Sequence, residues 1–278
     1  MDILSFLVLP FLAGLVLTGI HAYLGVHVVE RGVIFVDLSL AQIAALGTTV
    51  AFLAGYDLHS GVSYFWSLGF TILGAAIFAL TRVHRETRIP QEAIIGIVYA
   101  VSAAAAILVM SKAPQETEHL KDMLVGNILA VNWYTVIKTA ILYALVGVFH
   151  WIFRKKFLAI SVGAHTGEAE AIPRLKLWDF LFYTSFGFVV TSSVAIAGVL
   201  LVFSYLIVPS VTAMLFATSI GKRLAIGWSM GTIVTALGIF LSFRIDLPTG
   251  ATIVCTFGIA LMVMAIVRLL MRSGTQAA

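Results

Sequence analysis

Apolar runs follow one another along this chain so closely that a separate soluble domain has no room to fold. The longest polar break between them, Arg154 to Asp179, is too short to fold alone. Hydrophobic residues make up 61% of the sequence and charged residues 11%, whereas a soluble globular domain has roughly half and a quarter. Lipid or other helices must surround most side chains. The sequence therefore predicts an all-α, polytopic integral membrane protein in which residues 1–278 form a single transmembrane domain.

A helix needs about 20 apolar residues to cross the hydrocarbon core of a bilayer, and nine stretches of this chain have approximately that length. They are Leu4–Val26, Val36–Ala54, Tyr64–Thr81, Ala93–Met110, Trp133–Phe153, Leu177–Leu200, Leu201–Ile220, Ala225–Phe243 and Ala251–Leu270. The seventh contains Pro209 and follows the sixth with no polar turn, so it is either a full span or a segment that is broken or re-entrant near the proline. The expected helical bundle has eight or nine transmembrane segments.

Lysine and arginine residues near the ends of the spans indicate the orientation of the chain, because translocating them across the membrane is disfavoured. With the amino terminus outside, thirteen of the 17 basic residues are cytoplasmic and four are external. This asymmetry predicts the orientation, and it accounts for a pI of about 9.3 without a nucleic-acid partner. The same orientation makes residues 154–176 a cytoplasmic loop.

Polar and ionisable side chains within the apolar stretches are candidates for a translocation pathway, because such groups are costly at membrane depth. The candidates on the first, second and seventh stretches are His21, Asp37, Ser39, Gln42, Ser204, Pro209, Ser210 and Thr212. Asp37 is either half of an interfacial ion pair with Arg31 or part of the pathway. His21 and Asp37 together are a candidate metal site, because imidazole and carboxylate suit divalent transition metals.

Loop residues supply the remaining candidates. The cytoplasmic loop reads RKKFLAISVGAHTGEAEAIPRLKLWD, and its glycines favour two short helices, the second of which ends before Pro173. The external loop after the fourth span contains Glu116, Glu118 and His119. These external residues form either a solvated acidic loop or a surface that guides an ion or a binding protein.

Several enzyme classes find no support in the sequence. The single cysteine, Cys255, has no partner for a disulfide or for a CxxC metal site. No candidate nucleophile has an evident base, so an intramembrane hydrolase is not favoured. The sequence also contains neither GxxxxGKS nor GxxxxGKT, so this chain is not expected to hydrolyse ATP.

The stretch Gly198 to Ala213, GVLLVFSYLIVPSVTA, resembles a segment of the zinc and manganese permease family of ATP-binding cassette importers. In that family a glycine is followed by apolar residues, by Leu-Leu-Val, and then by Pro and Thr-Ala at the same spacing. Further matches occur at Glu92 to Gly96, at Leu124 to Leu129 and at Leu247 to Gly250. The resemblance therefore covers almost the whole chain.

The resemblance implies a homodimeric permease with a cobalamin-importer-like fold, placed as a multi-pass protein in the bacterial cytoplasmic membrane. It implies that a divalent transition metal, zinc or manganese, moves inward by alternating access that separate cytoplasmic ATPase subunits drive. ATP and magnesium would bind to those subunits, so no cofactor is expected on this chain. An extracellular or periplasmic solute-binding protein would deliver the ion. The loop residues implied in coupling to the ATPase are Gly163, Glu168, Ala169, Glu170 and Pro173.

The second span departs from the family pattern at one point. The family carries an aspartate and a histidine one helical turn apart, followed by a glycine. Aligned on Gly47, this chain has Leu38 at the aspartate position and Gln42 at the histidine position, and Asp37 lies one residue away. Either His21 and Asp37 hold the metal instead, or the cargo is a metal chelate or a non-metal. A proton-coupled secondary transporter that uses Asp37 or His21 is the alternative from another class.

Overall fold

Nine α-helices and two short 3-10 helices form the part of the chain that a computed structural model describes, namely residues 3–57, 60–82, 89–111, 126, 128–164 and 166–276. The α-helices are α1 Ile3–Arg31, α2 Val36–Leu53, α3 Gly61–Leu80, α4 Gln91–Met110, α5 Trp133–Ile152, α6 Arg154–Val162, α7 Leu175–Phe216, α8 Ile220–Ile245 and α9 Thr249–Gln276. The 3-10 helices are Ile128–Ala130 and Glu168–Ala171. No strand occurs among the described residues, and the all-α expectation is confirmed.

Eight of the described helices are long and apolar enough to cross a membrane, and α6, with 9 residues, is too short. Helix α7 has 42 residues, which at 1.5 Å per residue make about 63 Å, roughly twice the thickness of the hydrocarbon core. Its backbone leaves the helical region at Gly198, where φ is 74° and ψ is 161°. Each side of this break is long enough for a crossing. Eight described helices, one of which is long enough for two crossings, agree with the predicted eight or nine transmembrane segments.

The break in α7 lies at Gly198, about three helical turns before the position near Pro209 that the sequence predicted. Glycine has no Cβ, so it adopts a positive φ with an extended ψ that other residues scarcely reach. Pro209 removes only one backbone N–H, and α7 continues through it as a helix. The second half of α7 is therefore a continuous span rather than one interrupted at the proline.

The chain forms two compact units, the first of Met1–Val29, Val125–Ile141 and Ile196–Ala278, and the second of Glu30–Leu124 and Leu142–Ala195. Small residues bring the helices of the first unit together. A Cβ on Gly25 of α1 would lie 1.9 Å from the carbonyl oxygen of Leu206 in α7. A Cβ on Gly231 of α8 would lie 2.5 Å from Cγ2 of Thr18 in α1. Glycine at these positions lets backbones approach closely, as membrane helix packing requires.

The second unit combines the same close packing with hydrogen bonds between helices. A Cβ on Gly47 of α2 would lie 2.9 Å from Cα of Ser67 in α3. Ser67 Oγ donates to the Ala44 carbonyl oxygen over 2.9 Å, and the hydroxyls of Thr71 and Thr191 are 3.2 Å apart. These contacts join α3 to α2 on one side and to the first half of α7 on the other.

Candidate functional site

Asp37 lies in the first turn of α2 and is only 2% exposed. Its Oδ1 atom is buried and accepts no hydrogen bond from the described residues. Arg31, the predicted partner of Asp37, instead binds Asp179 over 2.8 Å between Nη1 and Oδ1. Arg31 ends α1, and its side chain reaches the start of α7 rather than that of α2. The ion-pair interpretation of Asp37 is therefore wrong, and its buried oxygen is a candidate contact for a cation.

Glu92, in the first turn of α4, is a second carboxylate in this region that the sequence did not mark as a site residue. Its Oε1 atom accepts the backbone N–H of Phe35 over 2.9 Å, and its Oε2 atom is buried without a partner in the described structure. Phe35 immediately precedes α2, so the Glu92 side chain lies at the amino end of the helix that carries Asp37. Asp37 and Glu92 therefore each have one buried carboxylate oxygen without a partner among the described residues, and such oxygens are candidate contacts for a cation. The sequence did contain a signal for Glu92: it is an acidic residue beside an apolar stretch, and it belongs to the Glu92 to Gly96 match with the family.

Ser39 and Gln42 follow Asp37 along α2. Ser39 is 0% exposed and its hydroxyl has no partner within the described residues, whereas Gln42 is half-buried. Asp37 and Gln42 are about 140° apart around the helix axis at 3.6 residues per turn. The amide of Gln42 therefore does not share a helix face with Asp37.

His21 is completely buried in α1, within the first unit. Its Nδ1 atom lies 2.7 Å from the Leu17 carbonyl oxygen, which can only accept, so Nδ1 carries a proton and donates this hydrogen bond. Asp37 belongs to the second unit, and no group of three or more metal-ligating side chains occurs among the described residues. The joint metal site of His21 and Asp37 remains a prediction.

The predicted pathway residues of α7 differ in how their hydroxyls are used. Ser204 Oγ donates to the Leu200 carbonyl oxygen over 2.9 Å. Ser210 Oγ lies 2.8 Å from the Leu206 carbonyl oxygen and 3.3 Å from that of Ala22. These serines bond to backbone, as hydroxyls in membrane helices commonly do. Thr212 is 0% exposed and its Oγ1 atom has no partner in the part of the chain described. Pro209 packs near α8, where a Cβ on Gly227 would lie 3.6 Å from the Pro209 carbonyl oxygen.

The loop of residues 154–176 contains two short helices, α6 and the 3-10 helix Glu168–Ala171, as the sequence predicted. Gly163, which follows α6, accepts the backbone N–H groups of Gly167 over 3.0 Å and of Ala169 over 3.3 Å. A Cβ on Gly163 would lie 2.7 Å from Ala159 O and 2.9 Å from Ala169 N. The turn between the two helices therefore requires glycine because of this close approach.

The other coupling candidates divide into a buried anchor and exposed side chains. Ala169 is 1% exposed, and it holds the 3-10 helix against the rest of the loop. Glu168, Glu170 and Pro173 lie at least partly open to solvent. The loop thus presents two carboxylates and a proline on a folded base, an arrangement that suits recognition by another protein. The external candidates Glu116, Glu118 and His119 lie outside the described residues.

Comparison with known proteins gives the site its context. The MntC membrane protein of a manganese transport system in Listeria monocytogenes is 25% identical over 254 residues, covering 90% of this chain and 86% of that protein. A probable iron transport system membrane protein of Haemophilus influenzae is 28% identical over 244 residues, covering 87% and 86%. The solved structure of PsaBC from Streptococcus pneumoniae in complex with Fab has the same fold, with a TM-score of 0.74, 23% identity, and coverage of 93% and 90%.

The family model described as the ABC 3 transport family matches residues 4–268, nearly the whole chain. This match confirms the resemblance that the Gly198 to Ala213 stretch carries, and the apolar spans agree with a multi-pass protein of the bacterial cytoplasmic membrane. The chain belongs to the ABC 3 transport family.

Proposed function

We propose that this chain is the membrane-spanning permease subunit of an ATP-binding cassette importer, and that it moves a divalent transition metal into the cell. Membership of the ABC 3 transport family supports the permease role. The names of its relatives, which specify manganese and iron transport, support the metal cargo. The observation in this chain that carries the proposal is Asp37, a buried carboxylate whose Oδ1 atom lacks a donor among the described residues.

The partners follow from this role. Cytoplasmic ATPase subunits would bind ATP and magnesium and would dock on the loop between α5 and α7, where Glu168, Glu170 and Pro173 are accessible. An extracellular or periplasmic solute-binding protein would bring the ion to the outer mouth, with Glu116, Glu118 and His119 as the proposed contact. A second copy of the chain would complete the permease. Alternating access would then carry the ion inward past Asp37 and the second half of α7.

The cargo is the part of the proposal for which the sequence offers a specific alternative. Leu38 and Gln42 stand where the family carries its aspartate and histidine. A metal chelate would need fewer protein ligands than a bare ion, so this substitution favours a chelate as the second candidate. Family membership does not favour a self-sufficient, proton-coupled transporter.

Reconstitution tests the proposal directly. The chain is placed in liposomes with and without its ATPase, and uptake of radioactive manganese and zinc is measured with the solute-binding protein present. Uptake should require both the ATPase and ATP. Uptake by the chain alone, driven by a proton gradient, would contradict the proposal, and uptake of a chelate but not of bare ions would reassign the cargo.

Asp37→Asn tests the residue that carries the proposal. The carboxylate-to-amide change removes a charged contact, which is worth about 1.5–3 kcal/mol, so uptake should fall about 10- to 100-fold at limiting metal. The matched control is Asp246→Asn, because Asp246 is exposed, lies at the end of α8 with φ of 50°, and asparagine tolerates that backbone conformation. Equal uptake by the two variants would remove Asp37 from the pathway.

A further inference from the structure

Asp179, near the start of α7, is bound by two arginines from other parts of the second unit. Arg31 Nη1 donates to Oδ1 over 2.8 Å, and Arg82 Nη1 donates to Oδ2. The side chains of Asp179, Arg31 and Arg82 are 1%, 4% and 19% exposed. This buried ion group joins the end of α1, the residue just beyond α3 and the start of α7.

Arg31 also connects this ion group to the loop that would couple to the ATPase. Its Nε atom donates to Ser161 Oγ in α6 over 2.9 Å, and Ser161 Oγ donates in turn to Phe157 O over 2.9 Å. The guanidinium carbon lies 3.8 Å from the ring centre of Phe182 in α7. One side chain at the end of α1 therefore contacts both α6 and α7.

Aromatic packing fixes α6 on the neighbouring helices. Phe157 of α6 stacks on His150 of α5 with 4.5 Å between ring centres. It also contacts Trp178 and Phe182 of α7 edge-on or at a tilt, with ring centres 5.9 Å apart in each case. A densely packed helix of this kind moves as a body with what it touches, because packed interiors deform little.

The second half of the loop is seated less tightly. A cavity of about 130 Å³ separates it from the helix ends. Arg31, Val33, Arg82, Gln91 and Tyr183 line one side, and Ala164, Gly167, Ala169 and Glu170 line the other. A space of this size holds a few water molecules at about 30 Å³ each. The 3-10 helix, which Ala169 anchors to the loop, therefore packs less closely on the helix ends than α6 does.

We infer that Ser161, Arg31 and Asp179 are positioning residues that carry a movement of the cytoplasmic loop into α1 and α3. This inference rests on the proposed function, since it assumes that an ATPase pushes the loop. A push on α6 reaches Arg31 through Ser161 and then reaches Arg82 through Asp179. Arg31 Nη2 is buried and makes no hydrogen bond with the described residues.

Ser161→Ala is the most selective test, because it cuts the hydrogen bond from Arg31 to α6 and leaves the ion group with Asp179 in place. The whole complex is reconstituted with its ATPase and binding protein, and the number of ATP molecules hydrolysed per manganese ion imported is measured. This ratio should rise about threefold, as expected for the loss of one interhelical hydrogen bond. A merely structural defect would lower hydrolysis and import together and leave the ratio unchanged.

Ser67→Ala is the matched control. Ser67 is also buried in the second unit and also donates across helices, from α3 to Ala44 O in α2 over 2.9 Å, but this hydrogen bond does not involve α6. The Ser67→Ala complex should hydrolyse as many ATP molecules per imported manganese ion as the wild-type complex does. Asp179→Asn should raise the ratio more than Ser161→Ala does, provided the variant is recovered in the membrane.

The outcomes separate the two proposals. If the wild-type complex imports manganese and Ser161→Ala has the wild-type ratio, the positioning role is overturned and the proposed function stands. If the wild-type complex shows no ATP-dependent import, both are overturned. A raised ratio in Ser161→Ala with a normal ratio in Ser67→Ala supports the inference.

Discussion

At the scale of single residues, two buried aspartates of the second unit show how differently a carboxylate can be used. Asp179 has an arginine on each oxygen, so its charge is neutralised and its position is fixed. Asp37 is about as buried, yet its Oδ1 atom has no donor among the described residues. A charge with an unpaired oxygen is expensive at membrane depth, and such a cost usually marks function. The contrast makes Asp37 the better candidate for contact with cargo and Asp179 the better candidate for a structural joint.

Replacing Asp179 by asparagine should destabilise the protein strongly, because the guanidinium groups of Arg31 and Arg82 would lose the carboxylate that balances their charge. Breaking a buried ion pair costs about 3–5 kcal/mol, so the thermal unfolding midpoint in detergent should fall clearly. Tyr143→Phe is the comparison. It removes a hydroxyl that bonds to Ser193 and, over 3.3 Å, to Ser192, and interhelical bonds of this kind contribute about 0.6 kcal/mol. Equal losses in the two variants would contradict the assigned role of Asp179.

The partner of Arg31 is a choice that sequence distance could not predict. Asp37 is the nearer acid along the chain, and Asp179 lies on a different helix. A guanidinium selects a partner by geometry, because its planar fork bonds best where two oxygens and an aromatic face are correctly placed. The start of α7 provides one oxygen of Asp179 and the ring of Phe182, and Ser161 of α6 provides the second oxygen. Only the packed structure brings that set of groups to the end of α1.

At the scale of elements, α7 is the helix whose division decides the topology. Proline is the stronger signal for a helix break in a sequence, yet Pro209 lies inside a helical segment and Gly198 is the break. Glycine permits this backbone conformation, and another part of the chain packs closely against it. A Cβ on Gly126 would lie 2.1 Å from the carbonyl carbon of Ala197 and 2.2 Å from Gly198 N. The segment before α5 therefore fits directly against the break.

Gly198→Ala should impair folding, because alanine at φ of 74° and ψ of 161° is placed in a region that only glycine populates freely. The expected loss of stability is about 1–3 kcal/mol, read as a lower unfolding midpoint and less protein in the membrane. Gly147→Ala is the control, because Gly147 is helical and a Cβ there meets nothing within 4 Å. Its midpoint should be unchanged or higher, since alanine favours helix more than glycine does. A normal midpoint for Gly198→Ala would contradict the strain argument.

At the scale of the whole molecule, the helices differ in how much surface remains uncovered. In the most apolar 18 residues of each helix, 11% are buried in α9, 22% in α4 and 67% in α7. Lipid or a second copy must cover the remaining apolar surface, because exposed apolar area is unfavourable in water. The proposed homodimer predicts that native mass spectrometry of the detergent-extracted complex will show the chain in two copies together with its ATPase. A complex that contains a single copy would contradict the dimer.

The sequence by itself determined that this chain is a helical membrane protein, where most spans lie, that the loop of residues 154–176 has two short helices, and which family it resembles. These properties depend on local quantities: apolar length, basic residues near span ends, and glycine or proline at turns. The tertiary structure decided the partner of Arg31, the break at Gly198 rather than at Pro209, and the hydrogen bond by which Glu92 holds Phe35 at the start of α2. These depend on groups far apart in the chain, whose meeting is fixed by helix packing and by the need to satisfy buried polar atoms.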